Sequence, residues 1–166
     1  ILNGIDTQVW NPATDPFLTA NYDVDSVRQN KPICKAALQE HLGLPQLEDS
    51  PLVGIIGRLA DQKGLDMVAQ IVPDWVQNSN VQWAVLGTGD LQYENLFDQF
   101  NGRYPDKFAA RLEFSDELAH MIEAGADMFL MPSRYEPCGL NQMYSLTYGT
   151  VPVVRETGGL ADTVTD

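Results

Sequence analysis

A Rossmann-like layered α/β domain, with a parallel sheet between helices, is the fold class this sequence predicts. Three observations carry that expectation. Short, nearly continuous apolar runs recur between residues 51 and 154, as strands covered on both faces require. Segments with apolar residues at helical spacing separate them, and such alternation closes into a parallel sheet with right-handed crossovers. Gly-rich turns follow several of the runs, Gly87-Thr88-Gly89 and Gly158-Gly159 among them. In open sheets of this class, ligands bind beyond the carboxyl ends of the strands.

Residues 1–50 are rich in Asn, Asp and Pro and form a loop-rich segment with one short helix, Lys35 to Leu42, closed by Gly43. Residues 51–166 form the layered domain. Its first strand is the run Leu52-Val53-Gly54-Ile55-Ile56-Gly57. Leu65, Val68, Ala69, Val72 and Val76 then keep helical spacing, with Pro73 expected to break or restart the helix. Val81 to Leu86 is the second strand and Leu91 to Phe100 a helix. Arg111 to Phe114 is a weaker third strand, followed by a short helix from Asp116 to Glu123. Ala126 to Met131 is the fourth strand, Asn141 to Tyr148 a helix, and Val151 to Val154 the fifth strand. The terminal Asp162 to Asp166 reads as the start of a further helix. With the usual strand order 3-2-1-4-5, the topological switch falls between the ends of the first and fourth strands.

The 166 residues, 44% hydrophobic and 20% charged, are about one domain's worth and enough for one sizeable core. Twenty-three acidic against ten basic residues leave a formal charge of −13. That balance excludes nucleic acid and anionic membranes as partners, since both demand clustered cations. No apolar run approaches a membrane span. The two cysteines and two histidines match no metal spacing, and a reducing compartment fits two distant thiols. The chain opens on Ile1 without a signal-peptide pattern and reads as a piece of a longer protein.

Where the ten cations sit is therefore informative. Arg58, Lys63, Arg134 and Arg155 all follow strand ends on one rim of the predicted sheet. Solvated loop charges are the common fate of such residues, but a cationic crevice suits a diphosphate. Cys138-Gly139-Leu140-Asn141 leads into a helix N-terminus, whose N–H groups and dipole favour phosphate, and Gly87 and Thr88 offer further donors. Asn141 reads equally as the N-cap of its own helix. Glu136, an acid among these cations, would repel phosphate, and so suits the hydroxyls of a sugar; its alternative is a surface ion pair with Arg134. A nucleotide-sugar follows more naturally than a bare nucleotide. The sequence holds neither Gly-x-Gly-x-x-Gly at the first helix nor a P-loop.

These residues carry a family resemblance. The matching stretches are Asn3-Gly4-Ile5-Asp6 with Trp10 to Asp15, Gly57-Arg58-Leu59 with Gln62-Lys63-Gly64, Pro132 to Gln142, and Tyr148 to Pro152 with Thr157 to Leu160. The chain resembles the carboxyl-terminal, donor-binding half of the glycogen and starch synthases, retaining glycosyltransferases of the GT-B fold that use ADP-glucose. The form with Asn141 is more similar to the starch synthases of photosynthetic eukaryotes.

The resemblance implies glucosyl transfer from ADP-glucose to the non-reducing end of an α-1,4-glucan, without a metal or other cofactor. It implies that Arg58 and Lys63 hold the leaving diphosphate and that Glu136 binds the glucosyl hydroxyls. Gly139, Leu140 and Asn141 would supply contacts to sugar and phosphate, and Asn3 an amide at the domain cleft. Phe114 stands where many bacterial members place an adenine-stacking Tyr, although such a residue is commonly core at a strand end. Tyr144 occupies the position of a second Glu found in wider GT-B enzymes. Cys138 reads as a small packed residue rather than a nucleophile. The implied partners are the nucleotide-sugar donor, the glucan acceptor and the absent N-terminal GT-B domain. The implied compartment is the plastid stroma in a plant or alga and the cytoplasm in a bacterium. The alternatives are a non-catalytic nucleotide-sugar or glucan-binding module, or another GT-B enzyme using a UDP-sugar.

Overall fold

The computed structural model describes residues 3–165. Five parallel strands form one sheet: β1 (Leu52–Ile56), β2 (Gln82–Leu86), β3 (Phe108–Arg111), β4 (Met128–Met131) and β5 (Val151–Val154), in the order β3-β2-β1-β4-β5. The helices are α1 (Val27–Leu42), α2 (Leu65–Asn78), α3 (Leu91–Arg103), α4 (Asp116–Gly125), α5 (Asn141–Thr147) and α6 (Gly158–Thr163). This is the α/β Rossmann-like architecture expected from the alternation of elements, and its strand order is the usual one assumed for that class.

Two apolar layers flank the sheet, and the two-residue strand period assigns side chains to them. Val53 and Ile55 of β1, Trp83 and Val85 of β2, and Phe108 and Ala110 of β3 pack on α2 and α3. Leu52, Ala84, Leu86, Ala109, Phe129 and Met131 face the other way, onto α1, α4 and α6. Gly54 occupies a spot where an added Cβ would lie 2.7 Å from Ile122 Cγ2, so its missing side chain lets α4 lie close on β1.

The structure corrects several boundaries. Pro73 neither breaks nor restarts α2, which is one 14-residue helix. The ring lies between the core face and solvent, while Leu65, Val68, Val72 and Val76 bury the core-facing stripe and hold the helix together. Likewise α1 begins at Val27, eight residues before Lys35, and carries Pro32 in its second turn. An Asp23 side chain that accepts from the Asp25 and Ser26 N–H groups folds the chain into this helix. The third strand is Phe108–Arg111, not Arg111–Phe114. Phe108 is fully buried against Phe97 and Phe100, and that packing outweighs the poor strand propensity of Ala109 and Ala110. The last helix starts at Gly158, four residues before the expected start, and ends at Thr163.

The loop-rich segment is fastened to the sheet domain by buried polar groups. Trp10 stacks between His120 of α4 and Tyr144 of α5, with ring centroids 3.8 Å away on each side. Beneath it Asp15 Oδ2 lies 2.6 Å from His120 Nδ1 and accepts from the Tyr148 hydroxyl at 2.5 Å. Burial raises the Asp15 carboxyl, but these hydrogen bonds outweigh it and hold the group below the usual range. Lys31 of α1 donates to the Ala124 and Tyr148 carbonyls and to Thr150 Oγ1, so one of the ten cations serves the interior.

Candidate functional site

β1 and β4 are neighbours in the sheet, yet the chain leaves them toward opposite sides, so a crevice opens beyond Ile56 and Met131. The loop after β1 is fastened on one flank by Leu59, which donates to Thr88 O and accepts from the Asp90 N–H. A 3-10 turn, Asp61–Lys63, then sends three successive side chains to three places. Asp61 accepts from the Tyr93 hydroxyl of α3, Gln62 reaches the Tyr135 carbonyl, and Lys63 reaches Glu136. Gly64 follows at φ +70°, where an added Cβ would stand 2.2 Å from Pro132 O. Only glycine permits this approach of the two loops.

Lys63 Nζ and Glu136 Oε2 lie 2.5 Å apart, with the side chains 27% and 11% exposed. Ser133 donates to the same carboxylate at 3.2 Å. Arg58, on the solvent side, leans its guanidinium on Gln62 Oε1 at 3.3 Å. Two cavities meet along Ile56, Gly57 and Arg58. One, about 470 Å³, is lined by Arg58, Lys63, Glu136, Gly139, Leu140 and Asn141. The other, about 290 Å³, is lined by Gly87, Thr88 and Phe114. Phe114 is not core; it stands 88% exposed at the rim of this second cavity. A larger groove of about 820 Å³ runs along α1 near Asp127, at the amino end of β4 and away from Lys63 and Glu136.

The structure thus brings Arg58, Lys63, Glu136, Gly139, Leu140 and Asn141 together, with Gly87, Thr88 and Phe114 next door. Asn3 joins them from the loop-rich segment, its Nδ2 donating to Cys138 Sγ at 2.8 Å. The other two rim cations resolve differently. Arg134 pairs with Asp66 at 2.6 Å instead of with Glu136. Arg155 lies at the end of β5, exposed, and lines neither cavity. Asn141 is not an N-cap either: Leu140 holds that position, and Asn141 Nδ2 donates to Ile56 O at 3.1 Å, binding α5 to the end of β1. Among the described residues, the Gly139 and Leu140 N–H groups donate to no backbone carbonyl, which leaves them free for a ligand.

Sequence reasoning missed Gln62, Ser133 and Asp66. Gln62 and Asp66 act through partners about 70 positions away, Ser133 through Glu136 three residues on in its own loop, and a lone Gln or Ser carries no signal by type. Tyr144, the position of interest eight residues after Glu136, spends its ring on Trp10. Among the described residues no three His, Cys, Asp or Glu side chains gather to hold a metal ion, and no helix is long and apolar enough to cross a membrane.

Comparison with known proteins identifies the family. The model of the family "Glycosyl transferases group 1" matches residues 39–166. The glycogen synthase of Anaeromyxobacter dehalogenans (strain 2CP-C) is 57% identical over 166 residues, which cover 100% of this chain and 34% of that protein. The glycogen synthase of Thermotoga maritima is 56% identical over 164 residues, 99% of this chain and 33% of that protein. The chain therefore spans about a third of the length of the curated relatives it matches. Among solved structures, the catalytic domain of starch synthase IV from Arabidopsis thaliana, bound to ADP and acarbose, superimposes with a TM-score of 0.92. It is 40% identical, and the match covers 100% of this chain and 34% of that one.

Proposed function

Because this chain belongs to the group 1 glycosyl transferases, we propose that it is the donor-binding part of an enzyme that moves glucose from ADP-glucose to the non-reducing end of an α-1,4-glucan, with retention of configuration. The observation that carries the reading is the Lys63–Glu136 pair, lining a cavity that meets a second one at Arg58. A nucleotide-sugar needs two compartments joined by a diphosphate, and Arg58 stands at the junction with Lys63 in one of the two cavities. Arg58 and Lys63 neutralise the diphosphate as the bond to the anomeric carbon breaks, a role in which fixed charge lowers the barrier without reorganising. They stand in for a divalent metal, and no cofactor takes part.

Glu136 accepts from glucosyl hydroxyls, and its pairing with Lys63 keeps both side chains aimed. The free N–H groups at Gly139 and Leu140 serve sugar and phosphate oxygens. Phe114, with Gly87 and Thr88, forms the base compartment, its exposed ring a stacking face for adenine. The ADP found with the starch synthase IV neighbour favours adenine over uracil, and the acarbose there favours a glucan acceptor. The facing wall and the acceptor site fall to the rest of a protein about three times this length, an N-terminal GT-B domain. The compartment, plastid stroma or cytoplasm, follows the lineage.

The test is transfer of labelled glucose by the full-length protein to a maltooligosaccharide, from ADP-glucose and from UDP-glucose. Faster transfer from ADP-glucose, lost in Lys63→Ala, supports the reading. Equal activity in Lys63→Ala discredits the role of the pair, and preference for UDP-glucose moves the chain to another nucleotide-sugar enzyme. Absence of any transfer with retained ADP-glucose binding leaves a binding module instead.

A further inference from the structure

The geometry points to Gln62 as a positioning residue that aims Arg58 at the donor diphosphate and sets its spacing from Glu136; this rests on the role given to Arg58 above. The Gln62 side chain spans the two loops of the site. Its Oε1 accepts from Arg58 Nη2 at 3.3 Å and its Nε2 donates to the Tyr135 carbonyl at 2.9 Å. Its own backbone carbonyl accepts from the Arg134 N–H at 2.8 Å, so the turn carrying it is fixed independently of the side chain.

The primary amide satisfies both ends with one planar group. A carboxylate accepts from the guanidinium but donates nothing to a carbonyl, and an ammonium donates but cannot accept. Asn is one methylene shorter and cannot reach both. Tyr135 directly precedes Glu136, so the one amide ties the diphosphate cation to the residue beside the sugar-binding acid.

The need for such a device follows from exposure. Lys63 is half-buried and held by Glu136, whereas Arg58 is exposed, and Gln62 is its side-chain partner among the described residues. A long side chain loose in solvent loses rotamer freedom when a ligand captures it, and that loss subtracts from affinity. An acceptor that holds the guanidinium at the cavity mouth removes part of that loss before the ligand arrives. Gln62 itself touches no reacting atom in this arrangement; it acts through Arg58.

A double-mutant cycle on the full-length protein tests this, read as ADP affinity by titration calorimetry. Gln62→Met keeps length and removes both hydrogen bonds, and it should weaken ADP about tenfold, in the range expected for losing a charge-assisted bond. In an Arg58→Ala background the same substitution should change affinity by less than about twofold, because the group it positions is gone. Gln62→Ala repeats the comparison if the thioether disturbs folding, which thermal melting reports. An equal loss in both backgrounds overturns the positioning role and makes Gln62 a structural residue. So does an unchanged affinity in Gln62→Met when Arg58→Ala weakens ADP. Unchanged affinity in Arg58→Ala is a separate failure: it removes Arg58 from the diphosphate and the proposed role of Gln62 with it.

Discussion

Lys63 and Glu136 lie 73 positions apart in the chain and meet at 2.5 Å, one from the turn after β1 and the other from the loop after β4. The contact closes the switch point of the sheet and links its two halves. Removing one partner strands the other in a poorly hydrated place. Lys63→Ala should therefore lower stability by about 1–2 kcal/mol, less than the ~3–5 kcal/mol of a fully buried pair because both side chains keep some solvent. The same change should cut kcat/KM for glucosyl transfer about 100-fold or more. Lys63→Ala combined with Glu136→Gln should regain stability and no activity, as urea melts and initial rates will show. Recovery of activity in the double variant would mean that the pair is structural alone.

Phe114 gives a cleaner separation of binding from folding. At 88% exposure it contributes little to the core, so Phe114→Ala should move stability by no more than about 0.5 kcal/mol. A base stacked on the ring is worth about 1–3 kcal/mol, so ADP affinity should fall roughly five- to 150-fold. Phe114→Tyr should bind as the parent does. A variant that melts early yet keeps its ADP affinity would remove Phe114 from the base compartment.

The alternation of strands and helices and the placing of Arg58, Lys63 and Glu136 after strand ends were legible because apolar runs and the charges after them are local signals; the strand order was taken as the usual one of the class, and the sheet has it. What stayed hidden depends on distant partners. Whether Arg134 faces phosphate or Asp66, and whether Asn141 caps its helix or grips Ile56 O, is decided by groups about 70 to 85 positions away. The third strand was misplaced by three residues for a related reason. Ala109 and Ala110 look helical by propensity, and only the pairing of β3 with Trp83–Leu86 makes them a strand.

Gly64 should tolerate no side chain where the two loops of the site meet. An added methyl meets Pro132 O at 2.2 Å and also demands φ +70° of a residue with a Cβ. Gly64→Ala should cost about 2 kcal/mol or more and part the two loops, reducing transfer with it. Gly102→Ala is the control: nothing lies within 4 Å of an added Cβ, and in the last turn of α3 alanine should add about 0.5 kcal/mol. Urea denaturation of both variants decides the point. Equal stability in the two would show that the loops yield without resistance.

Trp10 should govern how firmly residues 3–26 hold to α4 and α5. Its ring fills the slot between His120 and Tyr144 and covers the Asp15 cluster. Trp10→Ala opens that slot to water, and the nearby amides lose protection as the segment opens locally. Hydrogen exchange should quicken at Asp15 and Tyr22, whose N–H groups are bonded within the segment. The amides of β1 and β2 should exchange as before. Faster exchange throughout the sheet would show instead that the segment is part of the cooperative core.

Glu123 should make stability fall as pH rises from about 5 to 8. Burial pushes its carboxyl from 4.5 up to about 8, opposed by the Ser145 hydrogen bond and by the charge of Lys31. Between those values the folded chain keeps a proton that the unfolded chain releases, so unfolding gains with every rise in pH. The contribution is complete below 4.5 and is lost as pH passes through 8. Lys31 acts in a different window. Burial pulls it from 10.5 down to about 8, so between these values the unfolded chain binds the extra proton and stability rises with pH. Asp15, held low, matters only in acid. Glu123→Gln keeps an acceptor for Ser145 and has no proton to lose. Urea midpoints measured between pH 5 and 8 should therefore decline more steeply in the parent than in Glu123→Gln. Parallel slopes would assign the pH dependence to other groups and leave Glu123 ionised in the folded chain.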